Sequence, residues 1–447
     1  MAAGAKPEHV TVRMYQVGFG DCFLASFTYA RPLADGRRER HVLIDFGSTH
    51  APHHQKLDWA AIARRVADDC GGKLDVVVVT HRHKDHLSGF ANDEAAAIVD
   101  ELAPGLIVRP WTEDPELAAT ATGPLGAGSR QLLAGLAKGQ EFANDLARAF
   151  DARARGLPGH VRQLAEDQLK NAEAVERLQR WAADHDGEYL HAGMRSKIEQ
   201  VVPGVSAEVL GPPTVDQFPD VVNARARDPE YWMLYQGLVT SGLPATMLGG
   251  GHDEDDEEEN EWLALPATHD RVPALDIPPG PARWLAERLQ GQQVHSLQRI
   301  VRSLDDALNN TSLILLLTVG NRRLLFPGDA QIENWRFTLD RIPKDRKLKN
   351  RLQSVDLYKV GHHGSRNASP RSLLKLWGGD KRLVSLMSTS PGVHGKSEET
   401  AVPRATLVAA LEEGTRLFST EDLGPIEAVT VEADTAGKEG FVPTPPS

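Results

Sequence analysis

Two apolar, strand-like blocks lie far apart along the chain, with polar and helix-like sequence between them. The first, from Val10 to about Arg109, contains VTVRMYQV, HVLIDF and LDVVVVT. The last of these is a continuous apolar run, the pattern of a strand covered on both faces rather than one facing water. Between the second and third, Trp59 to Cys70 has helical spacing. The second block, from about Ser312 to Val431, contains SLILLLTV, RRLLFPGD, DLYKVG, RLVSLMS and EAVTVEA, separated by the helix-like SPRSLLKLW and RATLVAALEEG. Strands interleaved with helices predict an α/β architecture, and the two blocks predict facing halves of one interrupted domain.

The intervening sequence has a different texture. From about Asp114 to Gln200 it is rich in Ala, Leu, Arg, Gln and Glu, with apolar Phe142, Leu146 and Phe150, then Leu164, Leu169, Ala172, Val175 and Leu178. That spacing is near 3.6 residues and predicts a helical insertion. Pro212 to Gly280 is rich in Pro and Gly and carries the acidic run DEDDEEENE at 253–261, so long loops are expected. The run reads as a solvated loop, with metal buffering or a basic partner as the sharper alternative. The expected organisation is a first half-domain over 1–110 and a helical insertion over 111–204. A loop-rich connection that partly rejoins the core follows over 205–310, then a second half-domain over 311–447.

Composition narrows the classes. With 447 residues, 41% hydrophobic and 25% charged, the chain can bury a sizeable core. Acidic residues outnumber basic ones by 62 to 50, a net charge of −12, which argues against a surface that binds nucleic acid everywhere while leaving room for a local basic groove. The apolar runs Leu74 to Val79 and Leu313 to Val319 are far shorter than the roughly 20 residues that cross a bilayer. The opening MAAGAKPEHV lacks an apolar signal core, and Cys22 and Cys70 are the only cysteines. A reduced, cytoplasmic protein without membrane association is expected.

The strongest chemical signal is THRHKDHLSGF at 80–90, directly after the buried strand. At a strand's end His81 and His83 point to the same side, and the turn that follows lets Asp85 and His86 converge nearby. Imidazoles are good ligands for borderline metals and costly to bury together otherwise, so the cluster predicts a metal site.

HisXHisXAspHis at the end of an apolar strand resembles the signature of metallo-β-lactamase-fold hydrolases. YQVGFGDCFL, AEVLGPP, NNTSLILLL, LLFPGDAQ and YKVGHHGS resemble, in the same order, blocks of its ComEC-like branch, relatives from bacterial competence systems. The likeness covers about residues 10–110 and 205–435. It implies an αββα sandwich interrupted by the helical insertion, and two divalent ions, zinc favoured and manganese possible. On that likeness His81 and His83 serve the first metal, Asp85 and His86 the second, and Asp329 bridges both. His362, ahead of His363, completes the second site, and the other histidine of the pair faces substrate as an acid or hydrogen-bond donor. His363 and Asp85 are thus the expected catalytic residues. Asp45 in VLIDFGS would orient the ligand loop, or simply occupy a turn before Gly47. Where many relatives place a further histidine, this chain reads AsnAsnThrSer at 309–312, so Asn310 either coordinates weakly or holds a loop. A late His-Pro pair of the branch is replaced by AlaValProArg at 401–404, with His394 nearby as a possible substrate contact. The transmembrane competence module has no counterpart.

The implied reaction is hydrolysis by a metal-activated hydroxide. The branch favours a phosphodiester, hence a nuclease. RIPKDRKLKNR at 341–351, six basic residues against one acidic, followed by Lys359, Ser365 and Arg366, agrees as a phosphate-binding track, or is a solvated helix face. The alternatives are a hydrolase of a small ester, lactone, thioester or phosphoester with the insertion as a lid, and a regulatory module that docks a protein partner through the insertion.

Overall fold

The computed structural model describes residues 4–52, 56–114, 171–214, 217–218, 309–365, 367, 369–379, 381–393, 401–421, 423–424 and 426–444. All of these belong to one compact unit; a second unit, formed by 116–170 and 222–307, lies outside the described residues. The acidic run, the central part of the helical insertion, Arg366 and His394 therefore fall outside the description.

The first part of the chain supplies β1 (Pro7–Tyr15), β2 (Cys22–Tyr29), β3 (Glu39–Phe46), β4 (Val76–Val78), β5 (Leu106–Pro110), β6 (Gly187–Leu190) and β7 (Val205–Gly211). The second supplies β8 (Ile314–Val319), β9 (Arg322–Phe326), β10 (Leu357–Lys359), β11 (Val384–Met387), β12 (Arg416–Ser419), β13 (Ala428–Asp434) and β14 (Val442–Thr444). They form two mixed sheets, one of eight strands in the order β14-β13-β1-β2-β3-β4-β5-β6 and one of six in the order β12-β11-β10-β9-β8-β7. In each sheet one part is antiparallel and the other parallel: β3 through β6 in the first, β9 through β12 in the second. The parallel part matters for chemistry, because it sends several strand C-termini, and the loops that leave them, to one edge.

Alternation along the strands divides their side chains between two cores. Val10, Val12, Phe23, Phe27, Leu315, Leu317, Phe326 and Val384 form one buried cluster drawn from both sheets, and the Phe23 and Phe326 rings meet 6.0 Å apart. The opposite face of the larger sheet is covered by α1 (Trp59–Asp69), α3 (Asp93–Glu101) and α4 (Ala172–Asp184), with the one-turn α2 (Lys84–Leu87) at the sheet edge. Ile62, Val66, Val99, Leu178 and Trp181 carry that contact. α1 and α3 start where Asp58 and Asn92 accept hydrogen bonds from Ala61 N and Ala95 N, satisfying donors that a helix leaves open at its start. After the short α5 (Ile198–Val201), the smaller sheet is flanked by α6 (Ile332–Leu339), α7 (Arg346–Gln353), α8 (Arg371–Trp377) and α9 (Ala405–Gly414). Tyr358 of β10 meets Trp377 of α8 in a tilted ring contact at 4.9 Å, and Trp377 Nε1 donates to Leu352 O of α7.

Two features differ from the sequence reading. Part of the stretch expected as a helical insertion belongs to the sheet: β6 pairs parallel with β5, and α4 packs beside it. GEYL is too short to show a strand period. β2 stands at the middle of the larger sheet; Phe23 and Phe27 face one core and Cys22 and Leu24 the other, so no polar-apolar alternation marks it. Among the described residues no helix is long and apolar enough to cross a membrane.

One buried pair in this framework makes the stability depend on pH. His41 of β3 lies opposite Ser26 of β2, with Nδ1 2.9 Å from Ser26 Oγ. Burial pulls its pKa from 6.5 down to about 4, although Glu39 and Asp75 pull the other way. Between those values the unfolded chain takes up a proton that the folded chain refuses. The contribution is therefore intact above about pH 6.5 and is lost as pH falls towards 4, on the order of 3 kcal/mol. Thermal melts from pH 7.5 to 4.5 should show a smaller loss for His41→Gln than for the unmodified protein. Parallel curves would refute the role.

Candidate metal centre

The loops that leave β3, β4, β9, β10 and β11 at their C-terminal ends bring distant residues together. The last residue but one of β3 is Asp45, which adopts a left-handed backbone at φ 58°. Its two oxygens accept from Thr80 N at 2.7 Å, Thr80 Oγ1 at 2.7 Å and His86 Nδ1 at 2.8 Å. That last bond keeps a proton on Nδ1 and turns Nε2 inward. Asp45 therefore fixes the orientation of the His86 ring. Gly47 follows because nothing larger fits: a Cβ there would lie 2.4 Å from the backbone nitrogens of His86 and Leu87.

β4 leads into His81, whose Nε2 is 3.0 Å from His83 Nδ1; His83 then caps α2, which carries Asp85 and His86. The His81 and His86 rings lie 4.1 Å apart. Burial, helped by the neighbouring His86 and His83, holds His81 well below the ordinary imidazole range.

From the second sheet, the loop after β9 contributes Asp329, and the turn after β10 contributes His362 and His363. Both histidines are left-handed, at φ 44° and 53°, a conformation that costs a non-glycine residue about 1–3 kcal/mol and is found where function over-determines the backbone. The turn buries His363 completely and leaves His362 partly exposed. His363 Nδ1 donates to Ser388 O at 3.0 Å, since a carbonyl can only accept, so its Nε2 faces inward, 3.1 Å from Asp85 Oδ2 and 3.5 Å from Asp329 Oδ2. His86 Nε2 is 3.0 Å from the same Asp329 oxygen, and His362 Nε2 is 3.9 Å away.

Asp85, His86, Asp329 and His363 thus offer ligand atoms that all lie within 4.8 Å of one another, and Asp21, Asp45 and His86 form a second such group. His86 Nε2 and Asp329 Oδ2 are buried and make no hydrogen bond among the described residues. Electrostatics point the same way. Burial disfavours the charged forms of His86 and His363, yet Asp329, Asp45, Asp85 and Asp21 around the first, and Asp329, Asp21 and Asp85 around the second, outweigh it and raise both. Burial also works against the charge on Asp85, but His86 and His363 hold its carboxyl below the usual range. A buried cluster of carboxylates whose two imidazoles turn Nε2 inward fits a divalent cation, which would take the place of the protons that those imidazoles otherwise hold.

His81 and His83, expected on a first metal, face each other at 3.0 Å and belong to neither group of close ligand atoms among the described residues; two further placements differ. The inner histidine of the pair is His363, not His362, because the left-handed turn carries the second ring under the sheet edge and leaves the first on the rim. Lys359, expected at substrate, is only 2% exposed and lies inside the cluster. Ser365 is on the rim, where Oγ donates to Asn367 Oδ1 at 2.6 Å. Asn310 is buried; its amide nitrogen donates to Glu333 at 3.1 Å, while Oδ1 makes no hydrogen bond among the described residues. Asp21 was not foreseen as a site residue. Its one available sign was its place in the GFGDC word. No family model matches the chain, and no curated protein matches it.

Proposed function

We propose that the protein is a metal-dependent hydrolase with the αββα arrangement of metallo-β-lactamase-fold enzymes, and that it cleaves phosphodiesters in nucleic acid. The observation that carries this reading is the buried meeting of Asp85, His86, Asp329 and His363, drawn from both sheets, with Asp21 and Asp45 beside them and the His81 ring against His86. Divalent ions in such a cluster supply Lewis acidity and draw a nucleophile from water near neutral pH. The protein's part is to hold the donors. Asp45 orients His86, Ser388 O orients His363, and the αL turn keeps His362 at the mouth. There its imidazole would contact a phosphoryl oxygen or protonate a departing oxygen, the role first expected of its neighbour. This fold hosts many chemistries, so the substrate class is tested directly.

The test combines metal analysis of the purified protein with a panel of plasmid, single-stranded DNA, RNA and bis-p-nitrophenyl phosphate, with Zn2+ or Mn2+. Cleavage of polymers, lost in Asp85→Ala, supports the nuclease. Turnover of the small ester alone transfers the reading to a small-molecule hydrolase. Silence throughout, with a stable partner in pull-downs, leaves a regulatory module.

α7 bears on the choice. Leu348 and Leu352 are buried and Arg351 pairs with Glu208, whereas Lys347 and Lys349 are exposed. If this face tracks phosphates, changing Lys347 and Lys349 together to alanine should weaken polymer binding and flatten the slope of log affinity against log salt by up to about 2. Unchanged salt dependence would return the helix to a merely solvated face.

A further inference from the structure

The cluster contains a fixed cation of the protein's own. Lys359 Nζ contacts an Asp21 oxygen, Gly328 O at 3.0 Å and Asp329 Oδ1 at 3.1 Å. An ammonium has three protons, and here each has an acceptor, leaving none for a substrate. Burial opposes the charge, but Asp21 and Asp329 outweigh it and hold the amine above the ordinary lysine range.

The consequence falls on Asp329. Its Oδ1 accepts from Lys359 Nζ and also from His362 N at 3.1 Å. Among the described residues its Oδ2 takes no hydrogen bond and faces the imidazoles of His86 and His363 at 3.0 and 3.5 Å. A carboxylate free at both oxygens can chelate one ion or give one oxygen to each of two. This one has a single oxygen to give.

Asp21 in turn is tied to the ligand loop. Its backbone nitrogen donates to Asp85 O at 2.8 Å, and its carbonyl accepts from Gly47 N at 3.0 Å. The ion pair is thus anchored to the segment that carries Asp85 and His86.

We propose that Lys359, seated by Asp21, is a positioning residue that occupies Asp329 Oδ1 and makes Asp329 a single-oxygen donor to metal. The proposal rests on the metal-centre reading above, and its test separates the two. Full-length Lys359→Met, Asp21→Asn and the double variant are compared with the unmodified protein for Zn2+ affinity by chelator competition, for the visible spectrum of the Co2+ form, and for thermal midpoint. Each single variant is expected to bind Zn2+ about 10–100-fold more weakly, the usual cost of losing a group that orients a ligand. The Co2+ bands of Lys359→Met should weaken as Asp329 is freed to bind through both oxygens. The double variant removes both charges of a buried pair, so its thermal midpoint should recover relative to the singles while its affinity stays low. Recovery of affinity together with stability would make the pair purely structural and overturn the proposal. So would Zn2+ affinity and a Co2+ spectrum in folded Lys359→Met that match the unmodified protein. An unmodified protein that binds no metal overturns the centre and this proposal together.

Discussion

Asp329→Ala is expected to abolish hydrolysis, with a loss well beyond the roughly 10–100-fold typical of a group that only orients a ligand. The reason is its position. Asp329 Oδ2 is the one oxygen that His86, His363 and His362 all face, at 3.0, 3.5 and 3.9 Å. Removing it takes away a donor shared by the cluster and the acceptor of Lys359 at the same time. The Asp21–Lys359 pair remains to neutralise the lysine, so most of the fold should survive. The measurements are turnover of bis-p-nitrophenyl phosphate and metal content per folded chain. A variant that keeps near-normal values of both would refute the assigned role, and Asp329→Asn, which retains the shape, should lose nearly as much.

Removal of metal should destabilise the protein strongly. Asp21, Asp45, Asp85 and Asp329 crowd one buried region whose fixed cation is Lys359. A cation that binds the folded chain alone stabilises it by mass action, about 4 kcal/mol when free metal exceeds the dissociation constant a thousandfold. Chelation followed by dialysis should therefore lower the thermal midpoint, and restoring Zn2+ should bring it back. In Asp85→Ala the metal-dependent part of the shift should largely vanish. A midpoint indifferent to chelator and to added metal would remove the basis for the centre.

How much of this could be read from the chain depends on what the pattern records. The continuous run ending at Val79 and the word THRHKDH were legible because a doubly covered strand and a cluster of imidazoles both leave dense local signatures. Asp329 and the 362–363 pair were recognisable by resemblance, but which histidine points inward was not. That is decided by two successive left-handed residues, and side-chain identity says little about a backbone that only tertiary contacts enforce. Lys359 was misplaced for a related reason. A basic residue beside a proposed phosphate site reads as a phosphate ligand until β10 is seen to turn it towards Asp21 and Asp329. β2 and β6 escaped notice because one lacks alternation and the other lacks length.

The bond between Asp85 and His363 joins residues 278 positions apart, and β1 is flanked by β13 from near the other end of the chain. During synthesis the histidine-rich loop therefore leaves the ribosome long before its counterparts exist, on a half-built sheet with an open edge. If the cluster holds a cation, its full donor set forms only once Asp329 and His363 have followed that loop out.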